Sequence, residues 1–277
     1  MAKRKSRIQL RSGAELDGLR EAGSIAANIL RQCSEMVRPG ITTGEIDAAA
    51  DQFIKDRGCV SAFLGYRGFP GNICISMNEE VVHGIGGELA MKEGDIVKID
   101  VGIQTPEGWI GDNAKTIAVG QIDDEVEQLL IKTEESLHQA ISHAREGEYL
   151  STLCASVEEY VATFGFTVVK QFVGHGVGRK LHEEPQVPNY WDAKEMQMRR
   201  FANPRLKEGM VLAIEPMVNA GSDEVLILSD DWTVVTADRM MSSHFEHTVL
   251  VTSGEPEILT PRPRSYKSSV AGVASTA

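Results

Sequence analysis

The sequence predicts a protein of the α/β class, of the α+β type, built from two similar halves. Amphipathic helical segments alternate with short, β-branched runs typical of strands. The helical pattern of the first sixty residues returns about 107 residues later, and the strand-like segments KEGDIVKID and KEGMVLAIE match each other. Repetition of both helices and strands indicates an internal duplication.

The composition excludes several classes of function. Apolar residues form 42% of the 277 residues and no apolar run approaches the roughly 18 residues of a membrane helix, so we expect no membrane partner. The net charge of −12 argues against DNA binding. The four cysteines form no CxxC pair, which indicates a reducing compartment, and we expect the cytoplasm.

The first half begins with two predicted helices. Apolar residues recur at helical spacing after Ser12, and Ser12 with Glu15 predicts a capping box at the start of this helix. Thr42 and Glu45 predict a second capping box, and Gly58 marks the end of the second helix.

The second half repeats this arrangement. An amphipathic segment covers 123–144, and in the helix that follows Gly40 falls on Gly147 and Gly58 on Gly165, with apolar positions matched between them. Two such halves pack most simply about a pseudo-twofold axis, where their equivalent strand ends would converge.

Each half carries a histidine and then two strand-borne carboxylates. These residues are His83, Asp100 and Asp112 in the first half, and His175, Glu215 and Glu246 in the second. Four converging carboxylates cannot all ionise without a compensating charge, and two bridged divalent ions would supply it. Such ions activate water and polarise a carbonyl, which indicates hydrolysis; manganese, iron, cobalt and zinc suit the donors about equally well.

The segment VGHGVGRKLHEEP admits other interpretations. Its glycines lack the spacing of a dinucleotide fingerprint and no Walker lysine follows, so we favour a backbone turn that presents His175. Position 186 is Gln where a zinc-protease HExxH motif needs His. His244 and His247 flank Glu246, and we expect neither to be a ligand.

Several longer motifs resemble those of the methionine aminopeptidases, in their short bacterial type I form. The resemblance runs from about Leu16 to Leu259 and rests on SAFLGYRGFPGNICISMNEEVVHGI, IVKIDVG, GDNAKT, GHGVGRKLHEEPQVPNY, IEPMVNAG and FEHTVLV. It implies the duplicated pita-bread fold, with central antiparallel sheets flanked by helices.

The resemblance also implies a ligand set for two divalent ions. The five ligands would be Asp100, Asp112, His175, Glu215 and Glu246. Asp112 and Glu246 would bridge the ions, Asp100 would bind one of them, and His175 with Glu215 would bind the other.

The same resemblance implies roles in catalysis and substrate binding. His83 and His182 would bind substrate and stabilise the transition state, and Glu215 would shuttle the proton. An apolar pocket for methionine would be formed by Phe63, Tyr66, Phe69, Cys74 and Trp232.

The implied reaction removes the N-terminal methionine of nascent proteins and peptides whose second residue is small. A hydroxide activated by two metal ions would attack the first peptide bond. We expect a monomer, with the ribosome as a further candidate partner of the basic ends. Phe63, Arg67 and Leu181 stand where Cys, His and Phe are common in the family, which leaves the shape of the pocket open.

The predicted domain organisation is simple. A mobile basic arm covers 1–11, a single catalytic domain covers 12–260, and a mobile tail covers 261–277. Within the domain, the first half spans about 12–120 and the second about 121–252.

Three alternatives remain. An Xaa-Pro aminopeptidase or prolidase would share the fold, but usually carries an extra N-terminal domain. A non-catalytic pita-bread module that binds other proteins would be expected to lose metal ligands, whereas all five positions are present here. A Rossmann oxidoreductase is more distant, because the dinucleotide fingerprint is absent.

Overall fold

The computed structural model describes residues 8–266. The first half contains α1 (Ala14–Met36), α2 (Thr43–Lys55), β1 (Val60–Ser61), β2 (Cys74–Met77), β3 (Glu80–Val82), β4 (Ile96–Gln104) and β5 (Ile110–Ala118), with a short 3-10 turn at Tyr66–Gly68. The rest contains α3 (Asp124–Ser142), α4 (Leu150–Ala162), β6 (Thr167–Val168), β7 (Gly174–Gly176), β8 (Glu183–Val187), α5 (Ala193–Arg199), β9 (Val211–Ile214), β10 (Met217–Asn219), β11 (Val225–Ile227), β12 (Val234–Thr236), β13 (Ser242–His244), β14 (His247–Leu250) and β15 (Glu257–Ile258).

The two predicted capping boxes have different outcomes. At α2 the prediction is confirmed, because the Thr42 hydroxyl accepts from the Glu45 amide and the Glu45 carboxylate accepts from the Thr42 amide. At α1 it is wrong, because the helix begins after Gly13 without a side-chain cap. Glu15 instead forms a salt bridge with Arg11 at 3.3 Å.

The duplication is visible in the element bounds. Helices α2 and α4 start and end 107 residues apart, and the same spacing separates β1 from β6. Gly40 and Gly147, which precede the two helices, both have φ of 91°, a conformation that favours glycine.

Each half is organised around a central strand, which in the second half is divided into two consecutive strands. In the first half β4 pairs with β5 along one edge and with β2 and β1 along the other. In the second half β9 and β10 take the place of β4, and β14 and β13 take the place of β5. The breaks lie at Glu215-Pro216, between β9 and β10, and at Phe245-Glu246, between β13 and β14. All ladders between the named strands are antiparallel, which confirms the expected sheet type.

Helices cover the outer faces of these sheets, as the resemblance implied. Helix α1 packs against β4 and β5 so closely that a Cβ at Gly111 would lie 2.1 Å from the Ala22 carbonyl oxygen. Helices α3 and α4 pack together against the second half. Two large apolar clusters result, one formed mainly by the first half and one mainly by the second.

Two arginines just outside the predicted domain of 12–260 form hydrogen bonds with it. Arg11 donates its amide to the Gly209 carbonyl at 2.7 Å and its side chain lies 2.8 Å from the Glu183 carboxylate. Arg262 donates to the carbonyls of Ala114 and Glu246 at 2.8 and 2.9 Å. Arg11 and Arg262, which the sequence analysis assigned to the arm and the tail, are thus both held by hydrogen bonds. The outermost terminal segments, including the basic ends expected to reach the ribosome, lie outside the described residues.

We expect the Arg262→Ala variant to lose about 2–3 kcal/mol of unfolding free energy, because in a poorly hydrated position the Glu246 carbonyl loses the guanidinium donor and the Ala114 carbonyl loses one of its donors. Arg264→Ala, at an exposed position two residues on, is the matched control and should change stability by less than about 0.5 kcal/mol. Urea denaturation measures both. Equal losses in the two variants would contradict this account of the tail.

Candidate active site

The carboxylates reach the centre of the molecule on strands from both halves. Asp100 lies in β4 and Asp112 in β5, while Glu215 follows β9 and Glu246 precedes β14. The halves are joined at this point, because the Glu246 amide donates to the Ala114 carbonyl at 2.8 Å. The Thr248 hydroxyl donates to the Asp112 carbonyl at 2.7 Å. These bonds bring the two carboxylate pairs to one place.

Strand register refines the equivalence between the halves. In the first half, Asp112 lies opposite Gly102. The residue equivalent to Gly102 in the second half is Met217, and Met217 lies opposite His244. Asp112 therefore corresponds to His244, and Glu246 is displaced from the expected position by two residues on the same strand face.

The structure does not place the histidines of the two similar segments HGIG (83–86) and HGVG (175–178) at equivalent positions of the two halves. His175 lies opposite Ala213 in β9, which corresponds to Lys98 in β4. The residue opposite Lys98 is Ser76, whereas His83 follows β3 in a different sheet. The HGIG and HGVG motifs are similar in sequence but do not occupy equivalent positions.

The glycines beside His175 serve strand packing rather than a turn. They lie in β7 between β8 and β9. A Cβ at Gly174 would lie 2.4 Å from the Ala213 carbonyl oxygen, and one at Gly176 would lie 2.4 Å from that of Glu184. Glycine is therefore required for the close backbone approach that inserts His175 into the centre.

His175 directs one ring nitrogen at the carboxylates. Its Nδ1 lies 3.0 Å from the Gly176 carbonyl oxygen and donates to it, which leaves the Nε2 lone pair free. Nε2 lies 3.5 Å from Glu215 Oε1 and 3.9 Å from Asp112 Oδ2. Donor atoms of Asp112, His175 and Glu246 all lie within 4.8 Å of one another.

Burial and mutual repulsion perturb every carboxylate in this cluster. Burial raises the pKa of Asp112 to about 7. Burial first, and then the neighbouring carboxylates, raise the pKa values of Asp100, Glu215 and Glu246 well above their usual range. Burial lowers the pKa of His175 to about 3, so the ring is neutral. The site therefore favours an added positive charge.

The donor set fits a divalent cation. Asp100 Oδ1, Asp112 Oδ1 and Glu246 Oε1 are buried and have no hydrogen-bond partner among the described residues. Buried carboxylate oxygens normally have partners, and divalent cations, which accept oxygen and imidazole ligands, would supply the missing ones.

A cavity of about 270 Å³ opens onto this cluster. The residues predicted for the methionine pocket all line it: Phe63, Tyr66, Phe69, Cys74 and Trp232. Phe69 and Trp232 meet edge to face at 5.1 Å, and Trp232 reaches the cavity from the connection between β11 and β12. Burial raises the pKa of the Cys74 thiol far above neutrality, so this part of the wall is uncharged.

Two further predicted histidines lie along the cavity. The His182 ring is 4.2 Å from that of His175 and stacks on Tyr66 at 5.2 Å. His83 packs edge to face against Phe172 at 5.4 Å. Burial lowers the pKa of His83 to about 4 and makes it a neutral hydrogen-bonding group.

His244, which the sequence analysis did not expect to be a ligand, lies beside the cluster. It lines the cavity, its Nε2 lies 3.9 Å from Glu215 Oε2, and that nitrogen has no hydrogen-bond partner among the described residues. The available signal was its position two residues before Glu246, which places both on one face of a strand. His247 points away and contacts the Thr260 hydroxyl at 2.9 Å.

The chain is similar to known metallopeptidases over most of its length. Metallopeptidase family M24 matches residues 17–253. The chain is 48% identical over 246 residues to methionine aminopeptidase 1 of Bacillus subtilis, covering 89% of this chain and 96% of the relative. The crystal structure of methionine aminopeptidase from Rickettsia prowazekii has a TM-score of 0.87 at 34% identity, covering 92% of this chain and all of the other.

Prolidases share the fold at lower similarity. The prolidase of Pyrococcus horikoshii has a TM-score of 0.73 at 22% identity, and this chain covers 64% of its length. No helix within residues 8–266 has the length and apolarity needed to cross a bilayer. The extent and identity of the closer matches decide the assignment: the chain belongs to metallopeptidase family M24 and, within it, to the methionine aminopeptidases.

Proposed function

We propose that this chain removes the N-terminal methionine of polypeptides whose second residue is small, and that nascent chains in the cytoplasm are its substrates. The observation that carries the proposal is a cluster of buried, unpaired carboxylate oxygens beside an apolar cavity of about 270 Å³. The cluster supplies hydrolytic chemistry, and the cavity suits an unbranched apolar side chain.

Two divalent ions bound at the cluster would lower the pKa of water and polarise the carbonyl of the first residue. We assign Asp112 and Glu246 to both ions, because strands from the two halves bring their carboxylates together. Asp100 would hold one ion, and His175 with Glu215 would hold the other. Manganese, iron, cobalt and zinc all suit these donors.

Three side chains at the cavity would transfer the proton, stabilise the carbonyl oxygen and bind the substrate. Glu215, whose carboxylate lies between His175 and His244, would take a proton from the attacking water and deliver it to the departing amine. His182, at the cavity mouth, would donate to the oxygen of the first carbonyl. His83 would hold the substrate from the opposite wall.

The cavity wall accounts for the choice of methionine. The rings of Phe63, Tyr66, Phe69 and Trp232 present apolar and polarisable surface, which suits a thioether. Phe63 packs so tightly on Gly102 that a Cβ there would lie 2.3 Å from its ring. That contact fixes one side of the pocket and limits its width.

We expect kcat/KM for Met-Ala-Ser to exceed that for Met-Lys-Ser by at least about 100-fold, because a small second residue fits beside the cluster and a long one does not. Chelation should abolish hydrolysis, and added Mn²⁺, Co²⁺ or Fe²⁺ should restore it. Cleavage of Lys-Pro peptides in preference would support a prolidase. Full activity after chelation would contradict metal dependence, and no hydrolysis at all by metal-loaded protein would favour a binding module.

We expect the isosteric variants Asp112→Asn and Glu246→Gln to lose bound metal and activity together, with metal affinity lower by on the order of 100-fold or more. Elemental analysis after dialysis and the Met-Ala-Ser assay measure the two losses. Glu88→Gln, which removes an exposed carboxylate outside the cavity, is the control. A variant of either ligand that kept both metal and activity would contradict the bridging assignment.

Metal binding should release protons. At pH 6.5 the metal-free cluster holds protons, since burial raises the pKa of Asp112 to about 7 and also raises the pKa values of Asp100, Glu215 and Glu246 well above their usual range. A cation displaces these protons, so its apparent affinity rises with pH by about tenfold per unit for each proton displaced. Calorimetry of Mn²⁺ binding in buffers of different ionisation enthalpy counts them. Binding at pH 6.5 without proton release would contradict the raised pKa values.

A further inference from the structure

An outer groove of about 580 Å³ adjoins the catalytic cavity. The cavity and the groove share Arg67, Val173, His175 and His182 as lining residues. A polypeptide with its first side chain in the cavity and its first carbonyl at His182 would extend its later residues into this groove. This reasoning rests on the function proposed above.

The groove carries a surplus of positive charge in a chain whose net charge is −12. Its charged lining residues are Arg11, Arg67, Arg179, Lys180, Glu183 and Glu184. Arg11 and Glu183 neutralise each other at 2.8 Å. Arg179 donates to the Glu107 carbonyl at 2.6 Å and its guanidinium lies 4.1 Å from the centre of the Trp109 ring.

Two cations remain available to a ligand. The exposed side chains of Arg67 and Lys180 form no salt bridge with a described residue. Glu184 is the one anion of the groove left to oppose them.

The backbone of Arg67 has an uncommon conformation. Its φ of 51° is in the left-handed region, which is uncommon for a residue with a side chain and is concentrated at ligand sites. The guanidinium lies 5.4 Å from the centre of the Tyr66 ring, and Tyr66 stacks on His182. Arg67 therefore lies at the groove end of a row of side chains that leads to the cluster.

We propose that Arg67, assisted by Lys180, selects polypeptides with acidic side chains at residues 3 to 5. Arg67 lines both the cavity and the groove, so an extended chain that leaves the cavity would pass Arg67 with residues beyond its second. Attraction at this distance from the reacting bond acts on association with the substrate, and salt screens it.

The test compares the pentapeptide amides Met-Ala-Xaa-Xaa-Gly with Glu, Gln or Lys at both variable positions. For the wild-type protein we expect kcat/KM to fall in the order Glu, Gln, Lys, with about a tenfold ratio between the Glu and Lys peptides at 20 mM salt, expressed mainly in KM. The ratio should approach one at 0.5 M salt. Arg67→Gln and Lys180→Gln should each reduce it, and the double variant should reduce it furthest.

Two further variants separate charge from shape. Arg67→Lys should retain most of the ratio because it keeps the charge. Lys92→Gln, which removes an exposed cation that lines neither cavity nor groove, should leave the ratio unchanged. Equal hydrolysis of the three peptides, or a ratio that survives in the double variant, would overturn this inference alone. No hydrolysis of any of them would overturn the proposed function and the inference with it.

Discussion

Four carboxylates share one buried cluster where the two halves of the chain meet, and their repulsion is the constraint on which the structure depends. Burial makes ionisation of Asp100, Asp112, Glu215 and Glu246 costly, as their raised pKa values record. Three of their oxygens have no hydrogen-bond partner among the described residues. An arrangement of this kind is stable in its ionised form only with bound cations, so the feature that opposes folding also creates affinity for metal.

The rest of the fold delivers these groups to one point and holds them there. Each half contributes a pair of antiparallel strands. The helices of each half lie on the outer face of its sheet and do not cover the side that carries the carboxylates. Arg262 binds the backbone of both Ala114 and Glu246 from behind. A single guanidinium thereby supports two strands that carry carboxylates and belong to different halves.

The repeat made much of this architecture predictable. Glycines and apolar positions matched across 107 residues located α2 and α4, and the two KEG segments placed Asp100 and Glu215 on equivalent strands. Register was not predictable, because the second half breaks its strands beside Glu215 and Glu246. The place of His244 beside Glu215 was not foreseen, although its spacing of two residues from Glu246 puts both on one face of a strand. The anchoring of Arg262 was missed because its partners lie far away in sequence.

The cavity has apolar walls and the adjoining groove carries cations. The carboxylate cluster lies between the two, so a polypeptide can bind in one orientation. The central claim is that this cluster binds two cations between the halves. Anomalous diffraction from crystals grown with Mn²⁺ tests it most directly. The account predicts two peaks about 3.5–4 Å apart, both within bonding distance of Asp112 and Glu246. A single peak, or two peaks that do not share these ligands, would contradict it.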